Sequence, residues 1–217
     1  MQIMESLSYD PSVFNVVTMS EAQAIILTDE DGGWSTQRRW EVETPWLVDK
    51  MISELNLTDK SLVLDYGCGI GRLSKGLIDR IGCSVIGVDI SPNMRTFAMR
   101  NLSSPKFTAV DPEFLISLVH GRGLLFDAAF SVWVLQHSHY PHRDIALLKD
   151  SLGMMGKLFI VNEKERRVPT RIGWIDDCKN VPEMLDSVFT LKHKGKLDPT
   201  VASQGCVERT FWAIYSG

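Results

Sequence analysis

The pattern of apolar and polar positions changes character near residue 60. Before it, apolar residues recur at helical spacing. Ser20 with Gln23 forms a capping-box pattern ahead of Ala24-Ile25-Ile26-Leu27, and Asp31-Gly32-Gly33 interrupts the helical pattern. A second helical stretch covers about Ser35 to Glu43. Thr44-Pro45 then reads as N-cap and first residue of a further helix, with Leu47, Met51, Ile52 and Leu55 on one face. Residues 1–57 are expected to form an irregular arm followed by helices, distinct from a core over 58–217.

Beyond that point short apolar runs alternate with amphipathic stretches. Leu62–Leu64, Ser84–Val88, Lys106–Val110, Phe126–Val132 and Lys157–Val161 predict strands. Arg72–Arg80, Pro92–Arg100, Glu113–Val119 and about His142–Leu152 predict the helices between them. Strands separated by helices imply a parallel sheet covered on both faces. The end differs: Val188–His193 and Arg209–Tyr215 read as two strands joined by a turn-rich stretch without a helix. An antiparallel pair at a sheet edge has this form.

Composition narrows the partners. The chain has 217 residues with ordinary apolar and charged fractions, so a packed core is expected rather than disorder. A net charge of −4 supplies no general attraction for nucleic acid or anionic membranes. No apolar run approaches the roughly 20 residues that span a bilayer. Met1-Gln2-Ile3-Met4-Glu5 lacks the basic and apolar regions of a secretory leader. Cys68, Cys83, Cys178 and Cys206 show no paired spacing, which fits reduced thiols and a cytoplasmic location.

The chemistry concentrates in Val63-Leu64-Asp65-Tyr66-Gly67-Cys68-Gly69-Ile70-Gly71-Arg72. A strand running through alternate glycines into a helix lets backbone approach a ligand closely. Dinucleotide, phosphate and S-adenosylmethionine sites all use such turns. The spacing here is GxGxG, and Asp65 precedes it. A carboxylate there would repel a pyrophosphate by about 4 kcal/mol at 4 Å and an effective dielectric near 20. It would attract the ammonium group of S-adenosylmethionine. Asp89, ending Ser84–Val88, stands about one βαβ unit further on, where an acid accepts hydrogen bonds from ribose hydroxyls.

These residues carry a family resemblance. Asp65-Tyr66-Gly67-Cys68-Gly69-Ile70-Gly71 with Gly87-Val88-Asp89-Ile90-Ser91-Pro92-Asn93-Met94 resembles motifs I and II of class I S-adenosylmethionine-dependent methyltransferases. Phe126–Ser131 through Val134-Leu135-Gln136-His137 resembles the family's fourth-strand segment, and Gly156–Ile160 its fifth-strand entry. The resemblance implies an α/β fold: a seven-stranded, mostly parallel sheet of order 3-2-1-4-5-7-6 with strand seven antiparallel. Helices would cover both faces, and an N-terminal helical lid would close the site.

It also implies cofactor contacts at Asp65, Gly67, Cys68, Gly69, Gly71, Asp89, Ile90, Met94, Asp111 and Ser131, with S-adenosylhomocysteine as product. The glycines would cradle the methionine part, Asp65 its amino group, Asp89 the ribose, and Ile90 and Met94 the adenine. Asp111 matches an acidic position that meets the adenine amino group. Pro112 departs from the pattern, because it has no N–H to offer the ring.

The acceptor is expected to be a small molecule, with neither nucleic acid nor membrane as partner. Trp34, Arg39, Trp133, Tyr140 and Trp174 are the candidate contacts. His137 follows strand four, where this fold places methyl transfer, and is the candidate base. His137, His139 and His142 lack the companion Cys or acid of a familiar metal spacing, so no metal is assigned. Arg166, Arg167 and Arg171, with Lys192, Lys194 and Lys196, read as solvated faces. A non-catalytic S-adenosylmethionine-binding partner would keep every one of these motifs. An NAD(P)-dependent oxidoreductase would share Asp89 but not Asp65.

Overall fold

The computed structural model describes residues 8–217, and the segment Met1–Glu5, read above for a leader pattern, lies outside them. After a short 3-10 turn at Pro11–Phe14, helix α1 covers Met19–Ile26 and helix α2 covers Thr36–Leu55. The α1 cap falls two residues before the expected one. Thr18 and Glu21 form the capping box, and Ser20 and Gln23 lie inside the helix.

Ser35 caps α2 through the Arg38 N–H, as its position suggests, but the helix does not restart at Thr44. It runs straight through Pro45. A proline inside a helix costs about 3 kcal/mol. Burial of Leu47, Val48, Met51 and Leu55 against the sheet offsets this, at roughly 1.5–3 kcal/mol per fully buried side chain. Thr44 is not a cap; its Oγ1 accepts from Arg72 Nη1 at 3.0 Å.

The core follows in order: β1 (Leu62–Tyr66), α3 (Arg72–Ile81), β2 (Ser84–Val88), α4 (Pro92–Leu102), β3 (Phe107–Val110), α5 (Pro112–Ile116), β4 (Phe126–Val132), α6 (Pro141–Ser151) and β5 (Leu152–Glu163). Next come a hairpin of β6 (Val168–Thr170) and β7 (Gly173–Ile175), helix α7 (Val181–Val188), β8 (Thr190–Gly195), α8 (Gln204–Arg209) and β9 (Thr210–Ser216). The hairpin and α7 fill a stretch for which the sequence pattern assigns no element. Helix α8 stands in the connection expected to have none, so Arg209 ends a helix and does not begin a strand.

The main sheet has order β3-β2-β1-β4-β5-β9-β8. The strands from β1 to β5 pair in parallel, and β9 pairs antiparallel with both β5 and β8. Counted among the sheet's seven strands this is 3-2-1-4-5-7-6, with strand seven reversed. Alternation along the central strands splits the core in two. Val63, Phe130 and Phe159 join the α2–α3 side, and Leu64, Ala129 and Leu158 the α6–α7 side. A third cluster of Val16, Ala22, Ile70 and Met94 fastens the N-terminal segment over the carboxyl ends of β1 and β2. Among the described residues no helix is long and apolar enough to cross a membrane.

Candidate active site

The carboxyl ends of β1, β2 and β4 open onto a cavity of about 910 Å3. Open α/β sheets place ligands at this edge, where the connections diverge. The N-terminal residues Tyr9, Phe14, Ile25 and Ile26 roof it, and Trp174 of β7 closes one side.

The glycine turn after β1 is internally satisfied. Gly67 and Cys68 donate their N–H groups to the Val88 carbonyl at 2.8 and 2.9 Å, and Gly69 donates to Asp89 Oδ2 at 2.9 Å. Gly67 lies at φ 84°, and a Cβ there would stand 2.2 Å from Val134 Cγ2. At Gly69, φ is 52° and a Cβ would stand 2.8 Å from Ile26 Cδ1 of α1. Close packing against Val134 therefore demands glycine at 67, and the positive φ favours glycine at both positions. The turn draws the N-terminal helix down over the cavity and leaves its wall thin.

Asp65 sits behind the turn, 4% exposed, its Oδ2 accepting from Ser74 Oγ at 2.6 Å. Burial pushes its carboxyl up to about 7, with the nearby Asp89 adding to the rise and the Ser74 bond opposing it. Asp89 accepts one backbone N–H on each oxygen, from Gly69 and from Ser91 at 2.8 Å. An ionised carboxylate has about four lone-pair sites, so two remain for a diol. Ile90 and Met94 line the same wall, and the Cys68 thiol is buried and held well above the ordinary thiol range by that burial.

Three expected contacts lie elsewhere. Gly71 does not line the cavity; it caps α3 at φ 75°, where a Cβ would stand 2.4 Å from Leu102 Cδ1 of α4. Asp111 caps α5, its Oδ1 accepting the Phe114 N–H at 2.8 Å, and Pro112, Glu113 and Ile116 reach the cavity in its place. Ser131 is buried within β4 and does not line the cavity; its hydroxyl has no partner among the described residues.

The side of the cavity under α2 is ionic, which the sequence pattern does not announce. Glu43, fully buried, takes Arg39 Nη2 at 3.0 Å, Arg72 Nη2 at 3.2 Å and the Trp133 indole N–H at 3.0 Å. The chain continues through Arg39 and Glu30 at 3.0 Å, Glu30 and Arg209 at 2.6 Å, and Arg209 and Glu163 at 2.8 Å. Arg39 Nε is buried without a partner among the described residues. The i,i+4 spacing of Arg39 and Glu43 within one helical stretch is the one sequence signal that could have pointed here. Trp133, straight after β4, has φ 63°, a left-handed conformation that costs on the order of 1–3 kcal/mol in a bulky residue.

His137 lines the cavity on its other side. Its Nδ1 lies 2.7 Å from the Arg167 carbonyl oxygen, which can only accept, so Nδ1 carries the proton and Nε2 the lone pair. Desolvation holds the imidazole below its ordinary value of 6.5, against the carbonyl bond and Glu163, which favour protonation. Phe14, Trp174 and His137 form a triangle of rings with centroids 5.1–6.1 Å apart. At that spacing the rings touch one another and leave no room for a guest between them.

The remaining candidates separate. Arg39, Trp133, Tyr140 and Trp174 line the large cavity, whereas Trp34 lines an adjoining one of about 590 Å3 that shares Glu30, Arg167 and Arg209 with it. His139 stacks on Tyr9 at 4.5 Å. Among the described residues no three His, Cys, Asp or Glu side chains converge as a metal site would require. Lys192, Lys194, Lys196 and Arg171 are exposed, but Arg166, expected on a solvated face, is 2% exposed.

Comparison with known proteins agrees with this fold. Residues 63–151 match the family model of the methyltransferase domain. No curated protein matches the sequence. Magnesium protoporphyrin IX methyltransferase from Synechocystis PCC 6803, with bound S-adenosylhomocysteine, is similar in fold at TM-score 0.65 and 18% identity, covering 99% of this chain and 98% of that one. A sarcosine dimethylglycine methyltransferase assigned in Galdieria sulphuraria gives 0.65 at 10% identity, covering 88% and 92%. The 4+2 cyclase SpnF gives 0.62 at 16% identity, covering 88% and 86%.

Proposed function

We infer that this chain, which has the class I methyltransferase fold, binds S-adenosylmethionine in the large cavity and directs its methyl group to a small-molecule acceptor. The observation that carries this reading is Asp65: a buried carboxyl beside a glycine turn, its pKa raised to about 7 and its hydrogen bonding met, among the described residues, by Ser74. Such a group suits an incoming ammonium and repels a pyrophosphate.

The donor set fits the rest of that cofactor. Asp89 retains acceptor capacity for a ribose diol, and Ile90 and Met94 offer apolar surface to the adenine. Arg39, with a buried N–H that has no partner among the described residues, would take the methionine carboxylate. The bound cofactor supplies an activated methyl on a sulfonium for in-line displacement. The protein has to align the acceptor with it, exclude water and remove a proton where the acceptor carries one. Trp133 and Trp174 would shape the acceptor side, and neutral His137 would take the proton at Nε2.

A cavity of this volume is of the order that holds small molecules, about 300–1,000 Å3. The test is transfer of labelled methyl from S-adenosylmethionine to a panel of small hydroxyl and amine acceptors. Cofactor binding with transfer to any of them supports the reading. Tight binding without transfer across a broad panel would make the chain a cofactor-binding partner instead of an enzyme.

A further inference from the structure

The loop that carries His137 is fastened to the stretch after β5 residue by residue. The Gln136 N–H donates to Asn162 Oδ1 at 3.0 Å, and the Arg167 N–H donates to the Gln136 carbonyl at 2.9 Å. The Arg167 carbonyl in turn holds His137 Nδ1. Arg166 completes the set: Nη1 donates to the Leu135 carbonyl at 2.8 Å and Nη2 to the Ser138 carbonyl at 2.5 Å. One planar guanidinium thus spans the backbone on both sides of the imidazole.

The other edge of the guanidinium meets Asp177, with Nε to Oδ1 at 2.7 Å and Nη2 to Oδ2 at 3.1 Å. Although partial burial opposes it, hydrogen bonding from Arg166 and Lys179 holds the Asp177 carboxyl well below the usual carboxylate range. A buried guanidinium is unfavourable without such a partner. Only a rigid fork reaches two carbonyls and a carboxylate together, which an ammonium on a flexible stem does not.

We propose that Arg166, held by Asp177, is a positioning residue for His137: it fixes the backbone around the imidazole so that Nδ1 stays on the Arg167 carbonyl and Nε2 remains the free nitrogen. The proposal rests on the reading of His137 as the proton acceptor, but its geometry stands independently. The charged groups facing the imidazole are Glu163 at the end of β5 and Arg166 and Arg167 after it. From the N-terminal turn and β7 it meets, among the described residues, the rings of Phe14 and Trp174.

The test uses Asp177→Asn and Arg166→Lys in the full chain, followed by NMR titration of His137, amide exchange and calorimetry with S-adenosylhomocysteine. Amides of Gln136, His137 and Arg167 should exchange at least about tenfold faster while those of β1 and β4 hold, because only local opening is promoted. The imidazole should titrate closer to 6.5 as water reaches it, and affinity for the probe should be unchanged. Should Arg166→Lys fail to fold, Asp177→Asn carries the test, because Asp177 lies at the edge of the clamp. Uniform loss of protection, or no change in exchange and titration, overturns the proposal. If His137→Ala transfers methyl at the full rate while Asp177→Asn shifts exchange and titration, the clamp stands and the base reading falls.

Discussion

The indole N–H of Trp133 donates to Glu43 at 3.0 Å, tying the long N-terminal helix to the carboxyl end of β4. The same carboxylate holds Arg39 and Arg72. Removing its charge leaves the buried Arg72 guanidinium without its carboxylate and Arg39 with Glu30 alone among the described residues. Glu43→Gln should therefore cost about 3–5 kcal/mol in urea unfolding, and Trp133→Phe about 1–3 kcal/mol. A Glu43→Gln protein as stable as the unmodified chain would mean that the network does not hold the lid.

Asp89 has two tasks, since its oxygens already satisfy Gly69 and Ser91. Asp89→Ala should lower stability and weaken S-adenosylhomocysteine, each by about 1–3 kcal/mol, as backbone donors and ribose hydroxyls lose their acceptor. Thermal unfolding and calorimetry separate the two effects. Weaker folding with unchanged affinity would remove Asp89 from the ribose site.

For His137 the sign of the shift sets the pH profile. Its folded pKa is lowered from 6.5, so it stays neutral to more acid pH than a free imidazole. Single-turnover methyl transfer should hold its rate below pH 6.5 before it declines, and His137→Ala should slow it roughly 10²–10⁴-fold. The same shift makes the fold lose stability as pH falls through 6.5, because only the unfolded chain takes up that proton there. An acid limb at or above 6.5, or an alanine variant with an unaltered rate, would assign His137 to shape alone.

The sheet and the glycine turn were legible in the sequence because each strand's apolar run and each following helix repeat one local pattern. Asp65, within β1, and Asp89, just after β2, could be read as candidates from their places near the carboxyl ends of those strands. What escaped depends on contacts between distant segments. Arg166 reads as surface until Asp177 and two carbonyls surround it. Glu43 reads as a helix-face acid until Arg72 and Trp133 arrive from elsewhere. Asp111 matched by position, but Pro112 makes it a helix cap. Thr44-Pro45 misled because tertiary burial kept the helix intact through a residue that locally breaks it.

Asp65 links binding to protons. With its pKa raised from 3.8 to about 7, its part of the folding stability declines as pH rises through that window. An ammonium ligand reverses this by favouring the carboxylate. Binding below about pH 7 should then release a proton, and affinity should rise toward neutral pH. Asp65→Asn should abolish both effects, as seen by calorimetry in buffers of different ionisation heat.

The most direct measurement is ligand binding followed by thermal unfolding, with S-adenosylmethionine, S-adenosylhomocysteine and NAD compared side by side. The two sulfur ligands should stabilise the protein, by about 2.7 kcal/mol at 100 times their dissociation constant, and NAD should leave it unchanged. Stabilisation by NAD alone, with neither sulfur ligand bound, would contradict the account.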